Sequence, residues 1–255
     1  MAESEPPVRA PLAVFDVDGT LFRRGLLPAL TRRLVEEGVF SERVREELSE
    51  DYYAWVERRG SYDTYDRLVM ELFLRELEGV SVAELQRCAI AEVEAHGRRL
   101  HIYTRDVALR LKEAGYQLIA ISGSPQEILD LFLKPLGFDR AWGTVLAKDA
   151  RDRYTGEVLE NPFGNKRRVM EEVMEEFLAN AEAGLEDSVG MGDTLSDVGF
   201  LEMVETPIAF NPNRGLFEVA RQWGWPIVVE RKDVIYNLQT RLEDPVLADG
   251  TVWVG

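Results

Sequence analysis

The chain has 255 residues, 45% of them hydrophobic and 30% charged, with 30 Lys and Arg against 46 Asp and Glu and a formal net charge of −16. That is ordinary globular composition, long enough for one large domain or a domain with an insertion, whose core needs neither disulfide nor metal to fold. The charge argues against nucleic acid and against adsorption to an anionic membrane, which both need clustered Lys and Arg, and the lone Cys88 excludes an internal disulfide or a Cys-rich zinc site.

The first residues, MAESEPPVRAP, carry acids and prolines where a secretory leader has a basic then apolar segment, and no apolar run approaches the roughly 18 residues of a membrane span. The expected location is the cytoplasm. Leu12–Phe15 reads as a short strand, apolar at every position. It runs into Asp16-Val17-Asp18-Gly19-Thr20. Two carboxylates at i and i+2 leave a strand on one side, and like charges that close need a cation or a proton between them. Oxygen ligands suit Mg²⁺. The plainer reading of the same residues is an Asp-Gly turn that only reverses the chain.

Residues 21–103 contain no convincing strand. Pro28 is expected at a first helical position, with Gly38 as the stop; Ser41 and Ser61 open further helices, and Ser81 with Glu84 forms a capping box for a fourth. The expectation is an all-helical insertion after the first strand. Alternation then resumes. Helix Asp106–Ala114 precedes strand Gln117–Ser122, which ends in Ser122-Gly123-Ser124. Ser124 with Glu127 reads as a capping box and Pro125 as the first helical residue, which aims N–H groups at the space past the strand, a good anion site. A well-capped turn is the simpler alternative. A hairpin is expected across residues 143–158. Lys166 opens the next helix, where a cation opposes the dipole and needs an anion, unless it is merely solvated like Arg167 and Arg168 beside it. The run Ser188–Met191 leads to Gly192-Asp193-Thr194-Leu195-Ser196-Asp197, with two aspartates four apart at the start of a helix over residues 195–204; Asp193 as a simple cap is the alternative. Strands at 207–210 and 226–229 flank a helix over 215–223. Five buried parallel strands alternating with helices predict a doubly wound α/β sheet.

The order DVDGT, SGS, Lys166, GDTLSD resembles the haloacid dehalogenase superfamily, and most closely its phosphoserine phosphatase-like subclass with a helical cap after the first motif. The resemblance covers about residues 12–229. It implies a Rossmann-like core at 1–20 and 104–255, a cap at 21–103, and a Mg²⁺-dependent phosphatase working on a small phosphorylated metabolite. Asp16 would be the nucleophile and Asp18 the acid and base. Ser122 and Gly123 would bind phosphate, with Thr20 on the turn or the phosphate, and Lys166 would neutralise the transferring group. Asp16, the Asp18 carbonyl and Asp193 would hold the metal, and Asp197 would orient Lys166 or a metal-bound water. Phosphotransfer to an alcohol, or a non-catalytic regulatory role on the same scaffold, are the rival outcomes. Where that subclass has a Glu that pairs with a substrate ammonium, this chain has Arg23 and Arg24, which favour a second anion on the substrate or are simply surface residues.

Overall fold

The computed structural model describes residues 10–57, 59, 62–180 and 183–238. Leu12-Ala13-Val14-Phe15 is apolar at every position because its strand is covered on both sides. Ala13 and Phe15 enter one core, Leu12 and Val14 the other. This strand, β1 (Ala10–Phe15), is central. The others are β2 (Gln117–Pro125), β3 (Arg140–Lys148), β4 (Tyr154–Glu160), β5 (Ala183–Gly192), β6 (Thr206–Phe210), β7 (Ile227–Arg231) and β8 (Val234–Leu238). They make one sheet in the order β4-β3-β2-β1-β5-β6-β7-β8. Strands β3, β2, β1, β5, β6 and β7 run parallel, and β4 and β8 are antiparallel edges. The chain leaves β1 toward β2 on one side and returns to β5 on the other, so the crevice of this doubly wound sheet opens at the carboxyl end of β1.

Helices α1 (Leu26–Glu36), α2 (Arg43–Val56), α3 (Tyr62–Leu77) and α4 (Val82–His96) lie between β1 and α5 (Ile102–Glu113). They share a continuous core with the sheet face that carries Ala13 and Phe15, through Leu30, Leu34, Phe73 and Leu85 and through Phe132 of α6 (Gln126–Leu133). The opposite face is covered by α7 (Lys166–Asn180), α8 (Val198–Leu201) and α9 (Arg214–Trp223), with Met170, Phe177, Phe200 and Leu216 inside. No helix among the described residues is long and apolar enough to cross a membrane.

Several expected boundaries move, each for a tertiary reason. Helix α1 starts at Leu26, so Pro28 is its third residue. Gly25, at the N-cap, offers no side chain; the Leu26 amide donates instead to Asp18 Oδ1 at 2.6 Å, and the cap comes from the neighbouring loop. Ser124 does not cap α6. It belongs to β2 and gives its hydroxyl to Asp18, while Pro125 takes the N-cap position and Glu127 receives the Tyr154 hydroxyl. The helix expected over 195–204 is a 3-10 turn, Leu195–Asp197, followed by the short α8. Strand β3 starts at Arg140, ahead of the expected hairpin, and pairs first with β2; Arg140-Ala141-Trp142 is only partly buried and shows no apolar run that would announce it. Edge strand β8 is a further strand beyond the five expected; it carries the apolar run Val234-Ile235-Tyr236, which stays exposed while pairing antiparallel with β7. Ser61 lies outside the described residues.

The capping box at α4 is present as expected. Ser81 accepts from the Glu84 amide at 3.2 Å and Glu84 accepts from the Ser81 amide at 3.0 Å. Ser81→Ala should therefore lower Tm by about 2–4 °C in a thermal melt; an unchanged melt would show that α4 is held by packing alone.

Candidate active site

Four loops meet past the strand ends. Asp16 follows β1 and keeps its ladder, with its amide on the Met191 carbonyl at 2.9 Å. The chain then folds into a tight turn at Gly19, whose φ is 91°. A Cβ there would be strained and would collide with the Asp193 carboxylate, so only glycine lets the loops after β1 and β5 approach this closely. The Thr20 hydroxyl lies 3.4 Å from Asp193 Oδ1, and its carbonyl accepts from Thr104 of α5 at 2.7 Å.

Lys166 is 4% exposed and sits between two carboxylates. Its Nζ donates to Asp16 Oδ1 and to Asp197 Oδ1, each at 2.6 Å. Those are the anions that a lysine at a helix start needs. The other oxygen of Asp197 accepts from the amides of Asp193 and Thr194 and from the Thr194 hydroxyl. Both oxygens of Asp197 are thus in use. Asp16 differs: its Oδ2 is buried and has no hydrogen-bond partner. Asp16, Asp193 and Asp197 bring carboxylate oxygens within 4.8 Å of one another. A buried carboxylate oxygen without a donor, beside a second acid, is chemically suited to a hard cation.

The electrostatics agree. Burial, with the charges of Asp197 and Asp18 added, pushes the Asp16 carboxyl up to about 7 although Lys166 opposes the rise. Burial and the Asp16 charge raise Asp193 well above the usual carboxylate range. Burial also raises Asp18, against the hydrogen bonds it receives. For Lys166 burial works in the other direction, but Asp16 and Asp197 outweigh it and keep the ammonium charged.

Asp18 sits in a separate nest of donors. Its Oδ2 accepts from Ser122 at 2.9 Å and Ser124 at 2.8 Å, and its Oδ1 from the Leu26 amide. Gly123 lies between those serines, with Phe163 over it and its carbonyl taken by Thr144. A cavity of about 720 Å³ opens above this floor, which includes Asp18, Gly19, Asp193 and Thr194.

The matching family model, described as haloacid dehalogenase-like hydrolase, spans residues 13–202. The chain belongs to this family. A Mycobacterium tuberculosis protein named "Probable phosphatase" is 25% identical over 240 residues, covering 92% of this chain and 80% of the relative. A phosphoserine phosphatase of the same organism is 29% identical over 235 residues, covering 89% and 73%. The crystal structure of a Bordetella pertussis protein of unknown function shares the fold at a TM-score of 0.69 and 24% identity, over 86% of this chain and 98% of that one. This haloacid dehalogenase-like hydrolase is a phosphatase.

Asp16, Lys166, Asp193 and Asp197 converge in one cluster of this hydrolase, with Asp18, Thr20, Ser122 and Gly123 around it. Arg23 and Arg24 both line the cavity, but their situations differ. Arg23 is ion-paired with Glu230, which also accepts from the Tyr103 amide at 2.8 Å. Arg24 is exposed and forms no ion pair with any described residue. Sequence reading missed Ser124 as a partner of Asp18, and Asn211 and Asn213 as cavity residues. Only the Asn-Pro-Asn spacing ahead of α9 hinted at the last, through the Asn213 cap on the Leu216 amide.

Proposed function

We propose that this phosphatase hydrolyses a small phosphorylated metabolite through a phosphorylated Asp16, with Mg²⁺. The observation that supports this most is Asp16 itself: one oxygen is gripped by Lys166, and the other is buried beside Asp193 without a partner. Asp16 attacks phosphorus, and the ester oxygen leaves with a proton from Asp18, whose carboxyl burial raises above its ordinary range. Asp18 then takes a proton from water, which attacks the same phosphorus and frees Asp16. Lys166 offsets charge on Asp16 and on the transferring group. Asp197 acts through Lys166 and the loop amides, since its own oxygens are committed. Ser122 and the Gly123 amide receive phosphate oxygens. Asp16, the Asp18 carbonyl and Asp193 are the groups that would hold Mg²⁺, which when bound supplies the positive charge that lets an anion approach a phosphate.

Helices α1–α4, residues 21–103, act as the cap that closes over the site and excludes water. Among the described arginines that line the cavity, Arg24 is the one without an ion pair, and it fits a carboxylate or second phosphate near the ester and repels an ammonium. The test is a panel of phosphate esters, phosphoserine included, assayed with Mg²⁺ and with EDTA. Turnover of any ester that is lost in EDTA supports the reading. Undiminished turnover in EDTA refutes the metal, and phosphoserine as the best substrate refutes the anion preference.

Metal binding should also show in stability. A carboxyl raised in the folded state adds stability below the ordinary carboxylate range and loses it as pH rises through the folded value, about 7 for Asp16. The metal-free protein should therefore lose stability between about pH 4 and pH 7 on account of this site. Mg²⁺ at about a hundred times its Kd should raise Tm by about 5–10 °C at pH 8 and by much less at pH 5. Equal shifts at both pH values in differential scanning fluorimetry would place the ion elsewhere.

A further inference from the structure

The 720 Å³ cavity is larger than phosphate chemistry needs. It belongs to the size class that buries most of a drug-sized ligand, whereas a compact phosphorylated amino acid has only about a dozen non-hydrogen atoms. Its shape follows from its walls. The lining continues from the catalytic floor along α1 from Pro28 to Val35, and along α2 from Val44 to Tyr52. The loop over 37–42 joins the far end of α1 to the near end of α2, so Val35 and Val44 both stand at the end remote from Asp18. At 1.5 Å per helical residue, the stretch beside α1 is about 10 Å long.

Four polar side chains along this stretch already have partners. Arg32 is paired with Glu36 and Glu92, and Arg45 with Glu42. The Thr31 hydroxyl donates to the Leu27 carbonyl and the Ser49 hydroxyl to the Arg45 carbonyl. What remains to meet a ligand is aliphatic and aromatic: Val35, Val44, Leu48, Tyr52 and Tyr65. Tyr52 stands edge-on to both Tyr53 and Tyr65, with ring centres 5.7 Å apart in each pair. Burying an apolar group against an apolar groove that is continuous with the catalytic floor is favourable, because apolar surface is removed from solvent.

We propose that the substrate is a phosphate monoester whose organic part is an extended apolar group, lying between α1 and α2 and reaching about 10 Å from the ester oxygen. This rests on the phosphatase reading above. Arg24, near the ester, leaves room for one further anion at that end only. The apolar group is an alkyl chain or a ring system, which the experiment separates.

Alkylphosphonates of two to ten carbons, with phenyl- and naphthylphosphonate beside them, are titrated calorimetrically into the full chain with Mg²⁺. Their C–P bond resists hydrolysis. Affinity should rise about two- to fourfold per methylene up to about eight carbons and then level off. Ser49→Trp, which fills the groove beside α2, should flatten that rise. Tighter binding of the aryl compounds at equal carbon number assigns the groove to a ring, and the reverse assigns it to a chain. Affinity that is flat in both series, in an enzyme that still hydrolyses compact esters, overturns this inference and leaves the phosphatase reading standing. Rising affinity without turnover of any ester overturns the phosphatase reading instead.

Discussion

Asp16→Asn should lower kcat by about 10⁴-fold or more and leave the fold intact. The amide has nearly the shape of the carboxylate but is a far weaker nucleophile, and no neighbouring group can replace it. Asp193 is a ligand candidate at the end of another strand, and both oxygens of Asp197 are already bound. Stability should not suffer. Asp16 is one of three carboxyls at this site raised above their ordinary range, so removing its charge relieves repulsion, while Lys166 keeps its bond to Asp197. The check is kcat on the best ester of the panel together with a thermal melt. Activity within tenfold of wild type would remove Asp16 from the role of nucleophile.

Lys166→Met should act on both stability and rate. The ammonium is buried and holds Asp16 and Asp197 at 2.6 Å each. Methionine fills similar space but leaves two buried carboxylates without their cation. Breaking a buried pair from one side costs about 3–5 kcal/mol, which corresponds to a fall in Tm on the order of 10 °C. The rate should fall about 10²–10³-fold, as for loss of one preorganised group at a transferring centre. A third effect separates these. Lys166 is the main influence holding the Asp16 carboxyl down, so the acid limb of the rate profile should move to higher pH in the variant. An unchanged melting temperature would contradict the buried ion pairs, and an unmoved acid limb would contradict the coupling to Asp16.

The parts of this protein that can be read along the chain are those whose causes are local. The apolar run Leu12–Phe15 announces a strand buried on both faces, and β1 lies at the centre of a mostly parallel sheet. The capping box Ser81–Glu84 closes within three residues and stands as read. The acids of DVDGT and GDTLSD stand out because carboxylates crowded at strand ends need an explanation wherever the chain goes.

What only the tertiary structure decided are the partners brought from far along the chain. Ser124 reads as a helix cap because its neighbours have capping spacing. Its hydroxyl hydrogen goes to Asp18, 106 residues away, and its oxygen accepts from the Leu27 amide of α1, so it serves the start of a helix 97 residues back and not the start of its own. Arg23 and Arg24 look equivalent in sequence, yet Glu230, 207 residues on, claims the first and leaves the second facing the cavity. The start of α1 depends on the same carboxylate of Asp18 and not on any residue of its own segment. The rise of Asp16 to about 7 comes from burial beneath several loops, which no spacing encodes. Backbone periodicity and capping are short-range properties and are written into the sequence. Desolvation and the choice among competing partners are properties of the packed chain, and here they separate a row of acids from an active site.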